Sequence, residues 1–127
     1  SPFTRTSLFL YIFGLQLDKI ITPSLDADKI VIADSYWYKF VAKMKVSNQG
    51  DKLLMESFES LSKPDKIIFI DTSPEIAYQR KTTFNHFEAN GKADNFIPFQ
   101  RLIRNEILKI IKIQNSHLRL FRKTQIL

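Results

Sequence analysis

Residues 66–75 have the sequence KIIFIDTSPE, in which two local patterns follow one another directly. The first half is a short, unbroken apolar run rich in β-branched residues, which is typical of a strand buried on both faces. The second half has the features of a helix start. Thr72 or Ser73 can cap a helix, Pro74 suits its first turn, and Glu75 suits the positive end of its dipole. The stretch therefore predicts a buried strand leading into a helix.

The same strand pattern occurs earlier, in the sequence KIVIAD of residues 29–34, and Leu118 to Phe121 is a third candidate strand. Helical patterns lie between and around these runs, so the strands are expected to be parallel. The predicted fold class is α/β, a three-layer sandwich around a mostly parallel sheet, in a single domain covering residues 1–127. Ligands in such folds bind at the carboxyl ends of strands, where Asp34 and Asp71 lie. For either residue a turn or helix cap alone is a sufficient explanation.

The remaining helices follow from apolar periodicity and from helix-breaking residues. They are predicted at about residues 6–25, 37–45, 52–61 and 97–114, with a break at residues 48–50. In the last helix an apolar residue recurs at every fourth position from Phe99 to Ile111, which indicates a stripe facing the core.

Composition limits the classes of partner and site. The 19 Lys and Arg residues exceed the 13 Asp and Glu residues, and this excess favours anionic partners such as nucleotides, although a solvated basic surface is the simpler reading. There is no cysteine, and His86 and His117 lie far apart, which argues against a zinc site. The apolar run from Leu8 to Leu17 is too short to span a bilayer, so we expect a buried helix, no membrane partner and a cytoplasmic location.

Several motifs, in order along the chain, resemble those of the thymidylate kinases. The sequence TPSL at 22–25 stands where the family has Arg-Pro-Ala-Leu, and DSY at 34–36 stands where it has Asp-Arg-Tyr. A Pro-Asp pair at 64–65 precedes the second apolar run. The sequence DTSPEIAYQR at 71–80 matches the family pattern Asp-x-x-Pro-Glu-x-Ala-x-x-Arg in full, and FQRLIR at 99–104 resembles the start of the helix after the lid.

This resemblance implies a P-loop kinase fold. It also implies ATP-dependent phosphorylation of a nucleoside monophosphate, dTMP or a related pyrimidine nucleotide, with Mg²⁺. The glycine-rich loop G-x-x-x-x-G-K-[ST] is absent from the sequence. In the family this loop follows the first strand, upstream of all the motifs matched here. The predicted fold is therefore incomplete at its N-terminus, and a homodimer is a further expectation.

The resemblance also implies site residues. Asp34 matches the strand-end carboxylate near the reacting phosphates, and Phe9 falls where the family stacks a ring on the acceptor base. Arg80 falls where an Arg packs on the ATP adenine, Lys81 is the adjacent cation, and residues 82–95 correspond to the lid. The other candidate contacts to the acceptor are Tyr36, Tyr38, Lys39 and Lys43. Structural alternatives are a core role for Phe9, a solvated face for the lysines, a helix-end cation for Arg80 and a surface loop for the lid segment.

The sequence departs from the family at two arginines of the acceptor site. Ser35 stands in place of one, and Phe13 in place of the other. Lys39 and Lys43 add positive charge nearby, as Arg5 could, but Lys does not replace Arg at a bidentate phosphate site. The identity of the acceptor base therefore stays open. The alternative function is a non-catalytic nucleotide-binding or dimerisation domain with a kinase fold. A nucleic-acid module is disfavoured, because the positive residues are scattered and the aromatic residues lie in apolar runs.

Overall fold

The computed structural model of the chain describes residues 1–114 and 118–122. These fall into two compact units, Ser1–Lys63 and Pro64–Leu127, where the sequence predicts one domain. The helices of the first unit are α1 (Pro2–Gln16), α2 (Thr22–Asp26), α3 (Tyr38–Ser47) and α4 (Lys52–Ser57). The second unit contains β1 (Ile67–Asp71), α5 (Pro74–Gln79), α6 (His86–Ala89), α7 (Phe96–Gln114) and β2 (Leu118–Arg122).

The first helix begins about one turn before its predicted start. Ser1 caps α1 by accepting a hydrogen bond from the Thr4 N–H (3.2 Å), and Pro2 occupies the first turn, where its missing N–H costs nothing. A π-helical turn at Leu17–Ile21 joins α1 to α2, and in it the Thr22 N–H donates to the Leu17 carbonyl. Pro23 follows at once, and the wider turn accommodates the hydrogen bond that proline cannot donate.

Together these helical segments form one stretch, Pro2–Asp26, that is long and apolar enough to cross a membrane. The run from Leu8 to Leu17 is too short to do so, but the helical stretch that contains it continues to Asp26, so the absence of a membrane partner stays a prediction. Core helices of soluble proteins and signal sequences meet the same two criteria. The prediction of a buried helix was wrong for this unit, since within Pro2–Asp26, all of it described, Thr6 is the one buried residue.

The strand predicted at residues 29–34 is not formed in this structure. These residues form no strand, and Ile30 and Ile32 are each 92% exposed. A strand leaves its N–H and C=O groups unpaired unless another strand lies beside it. Among the described residues, none pairs with this run.

The rest of the first unit forms a small aromatic core. Asn48, in the left-handed conformation (φ 52°), ends α3, and Asp51 caps α4 by accepting from the Leu54 N–H at 3.1 Å. A 3₁₀ turn, Phe58–Ser60, completes the third predicted helix. The buried apolar residues of this unit are Trp37, Tyr38, Val41, Ala42, Met44, Met55 and Phe58.

In the second unit the stretch that opens with residue 66 folds as its pattern predicts. Strand β1 leads into α5, whose cap is Ser73, with its hydroxyl accepting from the Ile76 N–H at 3.3 Å. Strand β2 covers the third predicted strand and pairs with β1 in parallel, with Ile67 opposite Leu118. Helix α7 buries the predicted stripe at Phe99, Ile103 and Ile111.

The described strands form one parallel pair and not the larger sheet that the sequence predicts. Burial alternates along β1, so that Ile68 and Ile70 are exposed while Ile67 and Phe69 are half-buried. The prediction that this strand is buried on both faces was therefore wrong in this structure. Successive side chains of a strand point to opposite faces, and one face of β1 has no covering layer among the described residues.

We predict that Phe58→Ala destabilises the first unit by about 3–5 kcal/mol, because it removes a fully buried ring. The ring centroid of Phe58 lies 5.5 Å from that of Phe40, 6.0 Å from that of Phe13 and 6.2 Å from that of Trp37. Denaturant unfolding followed by the fluorescence of Trp37, the single tryptophan of the sequence, measures the change. The control is Leu53→Ala, an exposed site where we expect a change within about 0.5 kcal/mol. Equal losses from the two variants would contradict this account of the core.

A second prediction concerns the buried hydroxyl of Thr6, which links α1 to the start of α4. It donates to the Pro2 carbonyl at 2.8 Å and accepts from the Asp51 N–H at 3.1 Å. Thr6→Val keeps the shape but removes the acceptor, so amide hydrogen exchange at Asp51 should become faster. The free energy of unfolding should fall by about 1–3 kcal/mol. Thr6→Ser keeps the hydroxyl and should leave the Asp51 amide protected. Unchanged exchange in Thr6→Val would show that this hydrogen bond does not protect the amide.

Candidate functional site

The predicted site residues are divided between the two units. Those assigned to the acceptor nucleotide lie in the first unit, and those assigned to ATP lie in the second. In the first unit they are Phe9, Asp34, Tyr36, Tyr38, Lys39 and Lys43, and in the second they are Arg80 and Lys81.

A strained turn follows Asp34. The Tyr36 N–H donates to the Asp34 carbonyl at 2.7 Å, and the Ser35 hydroxyl donates to the Asp34 carboxylate at 3.1 Å. Ser35 (φ 61°) and Tyr36 (φ 41°) both adopt left-handed conformations, which are costly for residues other than glycine. The turn leaves the Asp34 carboxylate exposed, while Trp37 and Tyr38 immediately after it are buried.

The turn leads into a cluster of seven rings, which we call the aromatic cluster. Phe9 stacks on Phe40 with centroids 4.2 Å apart, so its ring packs within the chain as the structural alternative predicts. Phe13 contacts Tyr36 edge-on, with ring centroids 6.0 Å apart. At the position where the resemblance places an arginine, the chain therefore has an apolar ring packed against other aromatic rings. The members of the aromatic cluster are Phe9, Phe13, Tyr36, Trp37, Tyr38, Phe40 and Phe58.

Three polar atoms of this cluster are buried without a hydrogen-bond partner among the described residues. They are the hydroxyls of Tyr36 and Tyr38 and the indole Nε1 of Trp37. Such a buried group costs about 1–3 kcal/mol when it has no partner, and native proteins contain few of them. Burial raises the pKa of Tyr36, and burial followed by the neighbouring Tyr36 raises the pKa of Tyr38 to about 12. Both phenols therefore stay protonated at neutral pH and can donate.

Sequence reasoning did not select Trp37 as a site residue. The sequence did hold one indication of a binding role. Trp37 lies between two tyrosines, three residues after Asp34, which ends a strand-like run. The apolar character of tryptophan favours a core role, and Trp37 does lie in the core. Only the structure shows that its N–H has no partner there.

The cations of the first unit occupy different surroundings. Lys39 is exposed in the first turn of α3, and Lys43, one turn later, is half-buried. Arg5 donates from its guanidinium to the side-chain oxygen of Gln49. Of the three, Lys39 is both exposed and close in sequence to the turn after Asp34.

In the second unit Arg80 is exposed at the C-terminal end of α5, whereas Lys81 is held by an ion pair. The Lys81 Nζ lies 2.6 Å from a Glu88 carboxylate oxygen. Glu88 also takes part in a capping box: its N–H donates to the Asn85 side chain at 2.9 Å, and its carboxylate accepts from the Asn85 N–H at 3.3 Å. Lys81 is therefore attached to the start of α6.

The lid-like segment, residues 82–95, has local structure of its own. It contains α6 and a 3₁₀ turn at Ala93–Asn95. Phe84 stacks on Tyr78 at 4.8 Å and lies 5.0 Å from Phe96, and the Gln100 side chain donates to the Glu88 carbonyl at 2.7 Å. These contacts attach the segment to α5 and α7.

Asp71, the second strand-end carboxylate, is engaged in a structural pair. Its side chain is 9% exposed, and each of its carboxylate oxygens accepts a hydrogen bond of 2.6 Å from the Arg104 guanidinium. Hydrogen bonding to Asp71 raises the pKa of Arg104. Fork-to-fork pairs of this kind are strong and specific in geometry. The pair joins the end of β1 to α7, so Asp71 has a structural role in this unit.

The described side chains offer few ligands for a metal ion. Within residues 1–114 and 118–122, no three His, Asp or Glu side chains are grouped so that they could hold a metal ion. A Mg²⁺ that arrives with a nucleotide needs only one or two protein carboxylates besides phosphate oxygens. The exposed Asp34 carboxylate fits that smaller requirement.

Comparison with known proteins gives a consistent set of relatives. No model of a known protein family matches the sequence. A probable thymidylate kinase of Thermococcus kodakarensis is 27% identical over 98 residues, which are 77% of this chain and 46% of the relative. The thymidylate kinase of Mesomycoplasma hyopneumoniae is 28% identical over 109 residues, 83% of this chain and 52% of the relative. That of Mycoplasmoides gallisepticum is 31% identical over 98 residues, 72% of this chain and 47% of the relative.

The chain thus spans about half the length of the curated proteins it matches. The motifs that resemble thymidylate kinases and these matches, to archaeal and bacterial proteins alike, point to the same family. The chain is a relative of the thymidylate kinases.

Proposed function

We propose that the protein phosphorylates a nucleoside monophosphate, dTMP or a related pyrimidine nucleotide, with ATP as donor and Mg²⁺. The similarity to thymidylate kinases supports this class of reaction. The observation that carries the proposal lies in the first unit: an exposed carboxylate at Asp34, then a strained turn, then buried phenols without a partner in the described part of the chain. Strain and unsatisfied polar groups concentrate at binding sites, because a ligand can supply what the free protein lacks.

On the acceptor side, each group has a role that its surroundings permit. The aromatic cluster offers apolar rings against which a planar base can pack. The Tyr36 and Tyr38 hydroxyls, which stay protonated, can donate hydrogen bonds to oxygens of the acceptor. Lys39 supplies an exposed positive charge, with Lys43 one turn behind it. Asp34 is the carboxylate available to the reacting phosphates and their Mg²⁺.

On the donor side, ATP supplies the phosphoryl group, and the protein positions it and neutralises its charge. Arg80 and Lys81 are the cations assigned to ATP in this proposal, and residues 82–95 are the lid. Arg80 is exposed, but Lys81 must exchange the Glu88 carboxylate for a phosphate oxygen. The sequence contains no glycine-rich phosphate loop, so no residue of the chain is assigned that role.

The proposal includes the family's three-layer α/β sandwich for the whole protein, together with a cytoplasmic location. In that fold β1 and β2 are two of the parallel strands. We expect the exposed run at residues 29–33 to form a third strand when another strand lies beside it. Its two fully apolar, exposed side chains, Ile30 and Ile32, support this placement because exposure of such residues in a strand-like run is costly.

One observation favours the alternative, a non-catalytic nucleotide-binding or dimerisation domain. At the two positions where the resemblance places arginines, the structure has the Phe13 ring packed against Tyr36, and the Ser35 hydroxyl bonded to Asp34. Neither side chain can neutralise a phosphate. The charge must then come from Lys39 or Lys43, or the site binds without catalysing.

The first test is phosphoryl transfer from ATP and Mg²⁺ to dTMP, dUMP and dCMP by the purified protein. Asp34→Asn keeps the shape and removes the charge, and we expect turnover to fall by about two orders of magnitude or more. Asp26→Asn, an exposed carboxylate at the end of α2, is the control and should retain parent activity. Unchanged transfer by Asp34→Asn would exclude Asp34 from the chemistry. Binding of nucleotide without any transfer by the parent would favour the non-catalytic alternative.

The second test concerns the Lys81–Glu88 pair. Glu88→Gln removes the competing charge, while Gln can still accept the capping-box hydrogen bond from the Asn85 N–H. We expect Glu88→Gln to bind ATP about 2- to 5-fold more tightly, because a partly exposed ion pair is worth up to about 1 kcal/mol. The control is Glu75→Gln, which removes the same charge from the ion pair with Arg101. If both variants change ATP affinity equally, net charge is the cause and Lys81 has no place in the site.

A further inference from the structure

The first residues of α3 carry hydrogen-bond donors for which no acceptor lies among the described residues. Helix α3 begins at Tyr38, its cap residue is Trp37, no side chain caps it, and no acidic residue lies in its first turn. The first N–H groups of a helix have no partner within the helix, and its N-terminus carries partial positive charge. Lys39 adds a full positive charge in the same turn. This end of α3 therefore favours an anion by its backbone and by its charge.

A second observation, independent of the helix, concerns the cap residue itself. Trp37 is 1% exposed and Tyr38 is 6% exposed, yet the Trp37 Nε1 and the Tyr38 hydroxyl have no partner among the described residues. The two rings stack with centroids 4.2 Å apart, and the Tyr36 ring lies 6.3 Å from each of them. The indole N–H can only donate, and the raised pKa of Tyr38 keeps its hydroxyl protonated. Within the described part of the chain, the side chains of Trp37 and Tyr38 have no acceptor, and no side chain caps the backbone at this point.

We propose that Trp37 is a ligand-binding residue, and that its indole N–H and the Tyr38 hydroxyl donate hydrogen bonds to the phosphate group of the nucleoside monophosphate at the start of α3. The proposal rests on the proposed function and adds to it the part of the nucleotide that is recognised. A phosphate is an anion whose oxygens all accept hydrogen bonds, which matches a site composed of donors. A pyrimidine base presents donors as well as acceptors at its edge and matches this site less well.

We expect the phosphate to reach these donors through the strained turn at Ser35 and Tyr36. Ser35 and Tyr36 are left-handed, and the donors they precede are covered in the free protein. Opening of this turn exposes the donors, and the hydrogen bonds to phosphate offset the cost of opening. Because Trp37 is the only tryptophan in the sequence, nucleotide binding should change the intrinsic fluorescence of the protein.

Two variants remove one donor each and keep a ring: Trp37→Phe and Tyr38→Phe. Calorimetric titration with dTMP should show that each variant binds about 10-fold or more weakly, as expected for the loss of a hydrogen bond to a charged group. Titration with thymidine, which has no phosphate, should give the same affinity as the parent. Tyr38→Phe should melt no lower than the parent, because it removes a buried hydroxyl that has no partner. The control is Tyr11→Phe, at an exposed tyrosine of α1, which should change neither affinity nor melting.

The outcomes separate this inference from the proposed function. If the parent binds dTMP and both variants bind it equally well, the inference fails and the proposed function stands. An equal loss of dTMP and thymidine affinity would place the donors on the base and overturn the phosphate assignment. Lower melting of Tyr38→Phe with unchanged dTMP affinity would make the hydroxyl structural. If the parent binds no nucleoside monophosphate at all, the proposed function fails and the inference fails with it.

Discussion

A polar group that leaves water needs a partner, and most of what is ordered in this chain follows from that constraint. Strand β1 exists because β2 runs beside it in parallel and pairs its backbone groups. Residues 29–33 have the same apolar pattern but no neighbour among the described residues, so their backbone stays in water and Ile30 and Ile32 stay exposed. Helix α1 begins where Ser1 supplies an acceptor for the Thr4 N–H. The buried Thr6 hydroxyl does the same for Asp51 at the start of α4.

The aromatic cluster does not meet this constraint, because it buries polar atoms that have no partner among the described residues. Its rings supply the apolar burial that holds α1, α3 and the Phe58 turn together, and Phe58 itself is fully covered. The polar atoms of Tyr36, Trp37 and Tyr38 are buried with their rings, and none of the residues that the structure describes accepts a hydrogen bond from them. A core built only for stability would use phenylalanine at these positions. These unpartnered groups lie beside a strained turn and an exposed carboxylate, which is why the proposed acceptor site is assigned to this segment.

In the second unit, charge pairing decides which side chains are available. Asp71 ends an apolar run just as Asp34 does, but the Arg104 guanidinium takes both of its carboxylate oxygens and joins β1 to α7. Lys81 and Arg80 are adjacent in sequence, yet Lys81 is paired with Glu88 while Arg80 is exposed at the end of α5. Equivalent positions in a motif thus differ in what they can contact. A kinase lid built on these residues would have to break the Lys81–Glu88 pair when ATP binds.

Local patterns were enough to determine the elements whose causes are local. The strand and capped helix of residues 66–80, the break at residues 48–50, the buried stripe of α7 and the family relation could all be predicted, because caps, turn residues and periodicity act within a few residues. Tertiary structure decided the rest. Whether residues 29–33 pair, whether Asp71 or Asp34 is exposed, and whether Lys81 is already bound depend on groups distant in sequence or on chain geometry. Trp37 shows the limit most clearly: its apolar ring predicts burial, but only its surroundings in the fold determine that its N–H is left without a partner.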